Sequence, residues 1–331
     1  MSWSDASSLR RRALLGAGLA LAAPGLARGQ TRWQVASAYP EGNFHTRNLQ
    51  AFLEQVTEES DGRLQFRLHS DAALLGMTEI RRGVQTGQVQ LGEILLSAYG
   101  QEDPLFELDA IPQLVAGFGQ AERLAALARP LVEARFRRTG STLLYTVPWP
   151  PSGIFSNVPV ETVEALHGLR LRTYNAQTQR FATLVGATPL LVQAAELRQA
   201  FGSGLVDSMV TSAATGVDVA AWDFLRIFTQ IGFSWTKNAV FLQTRALEAL
   251  PEALRGVVLR AAALAEKRGW EMARAEHRGR EAVLAERGVQ LRAATPALRQ
   301  GLARVSEVMV EEWIAKAGPE GQRLIDAFRV G

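Results

Sequence analysis

Apolar and polar positions along the chain fall into an alternation of strand and helix patterns. The mostly apolar run WQVASAY, residues 33–39, closes on a Pro-Glu-Gly-Asn turn and predicts a buried strand. Across residues 43–60, Leu49, Phe52, Leu53 and Val56 recur at i, i+3, i+4 and i+7, which predicts a helix with one apolar stripe, ended by Asp61-Gly62. LQFRLH, residues 64–69, alternates apolar and polar and predicts a half-buried strand. A helix over about 78–86 and the strand VQLGEILL, residues 89–96, follow. A β-α-β-α-β opening of this kind implies right-handed crossovers and a mostly parallel sheet.

A helix over about 120–138 then precedes the strand TLLYTVPW, residues 142–149. Pro148, Pro150 and Pro151 break regular structure within four residues, so the chain is expected to cross to a second domain there. A second β/α series comprises LRLRTY (169–174), helices near 177–185 and 194–201, and VDSMVT (206–211). AVFLQT (239–244) is a further strand, which places a second crossing at 233–238. From about 251 to 287 the helical pattern is unusually long, with Leu254, Val257, Val258, Ala261 and Ala265 on its buried face. At 1.5 Å per residue it runs about 50 Å, so it either kinks near Gly269 or Gly279 or lies across both domains as a brace. A strand GVQLRA and two helices, the last reaching Phe328, close the chain.

Composition narrows the class. The chain has 331 residues, 47% of them hydrophobic, 36 Lys+Arg against 33 Asp+Glu, and no cysteine. That length suits about two domains, and zero cysteine excludes thiolate metal sites, redox CxxC motifs and a cysteine nucleophile. The first 29 residues hold Arg10, Arg11, Arg12 and Arg28 against Asp5, which leaves 32 basic and 32 acidic residues and a formal charge of zero beyond them. The basic excess therefore belongs to the leader, and a nucleic-acid or membrane-surface binder is not expected. Within the leader, Arg10–Arg12 stand before the apolar run ALLGAGLALAA, too short to span a membrane but suited to an export signal. The paired arginines point to the twin-arginine route, with cleavage near Ala27 or Gly29 and a periplasmic mature protein.

Catalytic signatures are absent: there is no GxSxG elbow, no Walker loop and no GxGxxG, and the four histidines are too far apart for a local metal motif. No cofactor and no metal are expected. The informative cation is Arg172. In GLRLRTYN, Leu169, Leu171 and Thr173 face one way while Arg170, Arg172 and Tyr174 face the other, near the carboxyl end of a strand, where open α/β sheets bind ligands. A guanidinium there offers a bidentate fork to a carboxylate, against the plainer reading of two arginines on a solvated face. Tyr39, Phe44, Trp149, Tyr174 and Trp235 cluster near the expected cleft, unless they only pack a core. His45 on the first helix is a candidate hydrogen-bonding group, unless it is an ordinary buried or exposed histidine.

Six stretches in order carry a family resemblance. They are YPEGNFHTRNLQAFLEQV (39–56), GRLQFRLHSDAALLG (62–76), RRGVQTGQVQLGE (81–93), EDPLFELDAIPQL (102–114), ETVEALHGLRLRTYN (161–175) with GATP (186–189), and AAELRQAFGSGLVDSM (194–209). Over about 33–267 the chain resembles the periplasmic solute receptors of TRAP transporters, the group named for C4-dicarboxylate uptake. That resemblance implies an α/β, two-lobed periplasmic-binding-protein-like fold with crossing hinge strands and a long domain-bracing helix. One lobe takes 30–149 with about 238–277, the other 150–237 with about 278–331. It implies a receptor without catalysis, a monomer, that closes on an organic acid and delivers it to small and large TRAP membrane subunits. The family's carboxylate-clamping arginine falls on Arg172.

Two departures bear on the solute. Many members carry a second arginine around the position of Ser152, where this chain reads WPPSGIFSN, and many carry an asparagine where VDSMVTSAATG offers Thr211 and Ser212. One arginine favours a monocarboxylate over a dicarboxylate or a sialic-acid-like sugar, and the aromatics suggest a bulky, aromatic or branched 2-hydroxy- or 2-oxo-acid. Asn175 and Asn238 are expected to bond the carboxylate or its oxygen substituents, and Glu93 a hydroxyl. The alternatives are a C4-dicarboxylate ligand, a receptor for an ATP-driven or tricarboxylate carrier, and, in a different class, an exported α/β enzyme.

Overall fold

The computed structural model describes residues 30–330; the export leader expected over 1–29 lies outside the described residues. The opening alternation forms β1 (Thr31–Ala36), α1 (Phe44–Glu59), β2 (Leu64–His69), α2 (Ile80–Thr86) and β3 (Leu91–Leu95), followed by α3 (Phe118–Arg138) and β4 (Ser141–Pro148). The middle of the chain gives β5 (Ser152–Ser156), β6 (Arg170–Thr173), α4 (Ala176–Leu184), β7 (Thr188–Leu191), α5 (Leu197–Gly202), β8 (Ser208–Ser212), α6 (Ala213–Asp218) and β9 (Ile227–Gln230). Then come β10 (Lys237–Gln243), α7 (Thr244–Glu248), α8 (Glu252–Glu286), β11 (Gln290–Ala293) and α9 (Pro296–Arg329).

These strands make two sheets, in the orders β2-β1-β3-β10-β4 and β11-β9-β5-β8-β6-β7. In the first, β10 runs antiparallel to β3 and β4; in the second, β5 runs antiparallel to β8 and β9. Both reversed strands have just crossed from the other sheet. The crossings also bond each other: Trp149 N–H donates to Thr236 O (2.8 Å) and Ser152 N–H to Ser234 O (3.1 Å). The turn-breaking prolines after β4 thus mark a real exchange of sheets. Strands β5, β7 and β9 were not expected from the pattern. Each has only four or five residues, and β7 contains Pro189, which an edge strand tolerates because it need not donate on that side.

The first sheet packs Phe52, Tyr145, Phe136 and Phe241; the second has a core around Phe155 and Phe228, whose rings lie 4.5 Å apart. Helix α8 joins the two without a break. Its buried residues Leu254, Val258, Ala261 and Ala265 lie against the first core, while Leu284 belongs to the second. Gly269 permits the close passage over β4, because a Cβ there would come within 2.3 Å of Val147. Of the two outcomes foreseen for this helix, the brace is the one observed. Helix α9 breaks at Gly318, whose φ of 67° suits glycine, with Pro319 next. The segment 278–331, expected to group with the second lobe, also bonds to the first. Arg180 of α4 pairs with Glu312, but Trp313 Nε1 donates to Pro104 O (2.6 Å) and Arg123 of α3 to Ala327 O (2.6 Å), so α9 straps both halves.

Candidate functional site

A cavity of about 210 Å³ lies between the lobes, against the carboxyl ends of β3, β6 and β8. The first sheet's side contributes Ala38, Tyr39, the 76–78 turn and Leu95. The second contributes Arg172, Tyr174, the 193–196 turn, Thr211, Ser212 and Thr215, and the crossings contribute Trp149, Ser152 and Thr236.

Arg172 reaches the cavity because β6 alternates. Leu171 and Thr173 are fully buried on one face, and Arg172 and Tyr174 leave from the other. Arg172 is 3% exposed, and its Nε donates to Val192 O (2.9 Å), which fixes the fork. Burial lowers its pKa to about 10, so it remains a cation at neutral pH. Among the described residues no carboxylate pairs with it; the groups acting on it are the phenols of Tyr174 and Tyr39. A buried, unpaired cation is costly unless an anion joins it, and here the free side of the fork faces a cavity.

Tyr39 and Trp149 form an aromatic wall, with ring centres 5.2 Å apart and edge to face. Behind it sits a polar layer. Asn238, 1% exposed, accepts at Oδ1 from Trp149 Nε1 (2.8 Å) and Tyr39 Oη (3.3 Å). Glu93, also 1% exposed, accepts from Ser37 Oγ (2.7 Å) and lies 3.8 Å from His45 Nδ1. Burial pushes the Glu93 carboxyl up to about 7 and holds His45 well below its usual range, so the histidine is neutral. Burial also raises the phenols of Tyr39 and Tyr174.

Of the residues expected at the site, Arg172, Tyr39, Trp149, Thr211 and Ser212 line the cavity. Five others do not. Asn238, Glu93 and His45 lie one layer deeper and support the wall. Asn175 spends its amide elsewhere, its Oδ1 capping α4 through Thr178 N–H (2.8 Å) and its Nδ2 donating to Ser97 Oγ (2.9 Å). Trp235 packs edge-on against Phe118 at 4.8 Å, and its backbone N–H is held by Asp109 O. Sequence reasoning missed Ser152, Thr215, Thr236 and the 193–196 turn.

The cavity holds one cation, several hydroxyls and apolar walls. The single lining carboxylate, Glu196, accepts from Gln193 N–H (3.3 Å). Among the described residues no group of His, Asp and Glu could hold a metal ion. Such a site is equipped to bind an anion and exclude water from it.

The family model for bacterial extracellular solute-binding protein, family 7, matches residues 35–317. Among solved structures, the chain is similar to DctP6, a Bordetella pertussis extracytoplasmic solute receptor binding pyroglutamic acid, at 38% identity and TM-score 0.90, over 91% of this chain and 100% of that one. DctP7 of the same organism, also binding pyroglutamic acid, is 41% identical with TM-score 0.89, over 90% and 99%. A marine metagenome TRAP solute-binding protein specific for pyroglutamate is 29% identical with TM-score 0.89, over 92% and 100%.

Proposed function

The chain belongs to the bacterial extracellular solute-binding proteins of family 7, and we propose that this TRAP-type receptor for organic acids selects pyroglutamate or a close cyclic monocarboxylate. The observation that carries this reading is Arg172, a buried cation without a carboxylate partner among the described residues, aimed into a small cavity. One guanidinium neutralises one carboxylate through a bidentate pair. A second carboxylate would find no second cation in the lining, where the other charged side chain is the acidic Glu196. The Tyr39–Trp149 wall suits the apolar edge of a small ring, and Ser152, Thr211 and Ser212 suit the polar atoms of a lactam. A cavity of about 210 Å³ favours such a compact acid over a bulky aromatic one. Three similar receptors, two of them 38% and 41% identical, bind pyroglutamic acid or pyroglutamate.

In this reading the lobes, 30–149 with about 238–277 and 150–237 with about 278–331, close about the paired crossings at 149–152 and 233–236. The loaded monomer then hands its solute to small and large TRAP membrane subunits. It works in the periplasm after removal of the leader near Ala27 or Gly29, which the arginine-then-apolar order of that leader supports. Thermal-shift measurements on the mature chain against pyroglutamate, proline, glutamate, succinate and orotate test the solute. Pyroglutamate should give the largest rise in melting temperature; a larger rise with succinate would overturn the selection argument.

A further inference from the structure

Two asparagines stand at helix N-termini on opposite lobes, and both use their side chains in the same double way. Asn43 caps α1 of the first lobe, its Oδ1 accepting from His45 N–H (2.9 Å), while its Nδ2 donates to Asp218 Oδ2 (2.7 Å) at the end of α6 in the second lobe. Asn175 caps α4 of the second lobe through Thr178 N–H, while its Nδ2 donates to Ser97 Oγ (2.9 Å) in the turn after β3 of the first. Asn43, Asn175 and Ser97 are all buried. The first contact lies beside α8, where Arg47 and Arg280 both pair with Glu276; the second lies beside Gln177, which donates to Glu107 across the same lobe boundary (3.1 Å).

The residue type explains the arrangement. Serine, threonine and aspartate can cap a helix, but among the good capping residues only asparagine carries an acceptor and an amide donor on one rigid group. Once Oδ1 is committed to the cap, the direction of Nδ2 is set, and in both cases it points at the opposite lobe. These bonds persist only while the lobes are together, because each spans elements that belong to different sheets.

We infer that Asn43 and Asn175 are reciprocal clasps that hold the cleft shut over the solute and set how fast it escapes. The inference rests on the reading that solute lies between the lobes, and it does not depend on which acid that is. Loss of one such hydrogen bond changes an equilibrium by about three- to tenfold, and here the change falls on dissociation, since the bonds form only on closure.

Stopped-flow tryptophan fluorescence on the full mature chain, with L-pyroglutamate as the probe, reads that rate. Asn43→Asp keeps a capping oxygen but sets a carboxylate against Asp218, and should speed dissociation by about tenfold or more. The exchanged pair Asn43→Asp with Asp218→Asn restores one donor and one acceptor, and should return the rate to within about twofold of the parent. Ser97→Ala leaves the Asn175 cap intact and should give about three- to tenfold. Unchanged rates in both single variants, or an exchanged pair as fast as Asn43→Asp alone, would overturn the clasp. A parent protein that gives no signal with L-pyroglutamate would count against the solute alone; the same rates are then compared with whichever acid gives the largest thermal shift.

Discussion

The Arg172 guanidinium carbon lies 4.7 Å from the ring centre of Tyr174, two residues further along the same strand face. The contact stabilises the cation without neutralising it, because a cation–π pair leaves the guanidinium fork free. The protein therefore keeps a dehydrated charge at a cost to its own stability. Arg172→Met should abolish acid binding, weakening it at least about 100-fold, while raising the melting temperature of the solute-free protein by a few degrees. Arg172→Lys should keep the charge yet bind about tenfold or more weakly, because an ammonium cannot form the planar fork. Calorimetric titration and a thermal melt on each variant check both halves.

Asn238 supports the wall without lining the cavity, since its one oxygen receives both Trp149 Nε1 and Tyr39 Oη. Asn238→Leu should leave two buried donors unpaired, destabilising the fold by about 1–3 kcal/mol for each donor left unsatisfied. Solute affinity should fall as well, because the ring wall loses its fixed position. Denaturant melts, binding titrations and a shift in Trp149 emission report these effects together.

Glu93 couples the site to pH. Its folded pKa of about 7 lies above the ordinary 4.5, so the folded state holds a proton that the unfolded state releases. The associated stability is complete below about pH 4.5 and is lost as pH rises through 7, at up to about 1.4 kcal/mol per pH unit. Glu93→Gln should therefore match the parent near pH 4.5 and exceed it in stability at pH 8. A parallel pair of pH–stability curves would contradict the assignment.

Two glycines of α8 should respond oppositely to alanine. Gly269→Ala drives a methyl against Val147 and Asn48 and should cost about 1–3 kcal/mol. At Gly279 no atom lies within 4 Å of a built Cβ, so Gly279→Ala should stabilise the helix by about 0.5–1 kcal/mol. Melts of the two variants test the bracing role directly.

Periodicity exposed the long elements and the two crossings, because an apolar stripe over several turns and a cluster of prolines are strong local signals. It passed over β5, β7 and β9, whose four or five residues show no alternation and are defined by their neighbours in the sheet. Arg172 was legible because strand alternation and position at a strand end both apply to it. Depth was not legible. Asn238, Glu93 and His45 sit next to the cavity wall in space, and no spacing in the chain distinguishes the residue that lines a pocket from the one that props it. Asn175 was expected to contact the ligand; the Asn-x-x-Thr pattern before α4 was the signal that could have marked it as the helix cap it forms.

One buried arginine, Arg172, is expected to hold one carboxylate in the cleft. Isothermal titration of the mature protein with L-pyroglutamate, run beside Arg172→Met, tests it most directly. One saturable site is expected in the parent, and no measurable heat of binding in the variant. Equal binding by both proteins would contradict it.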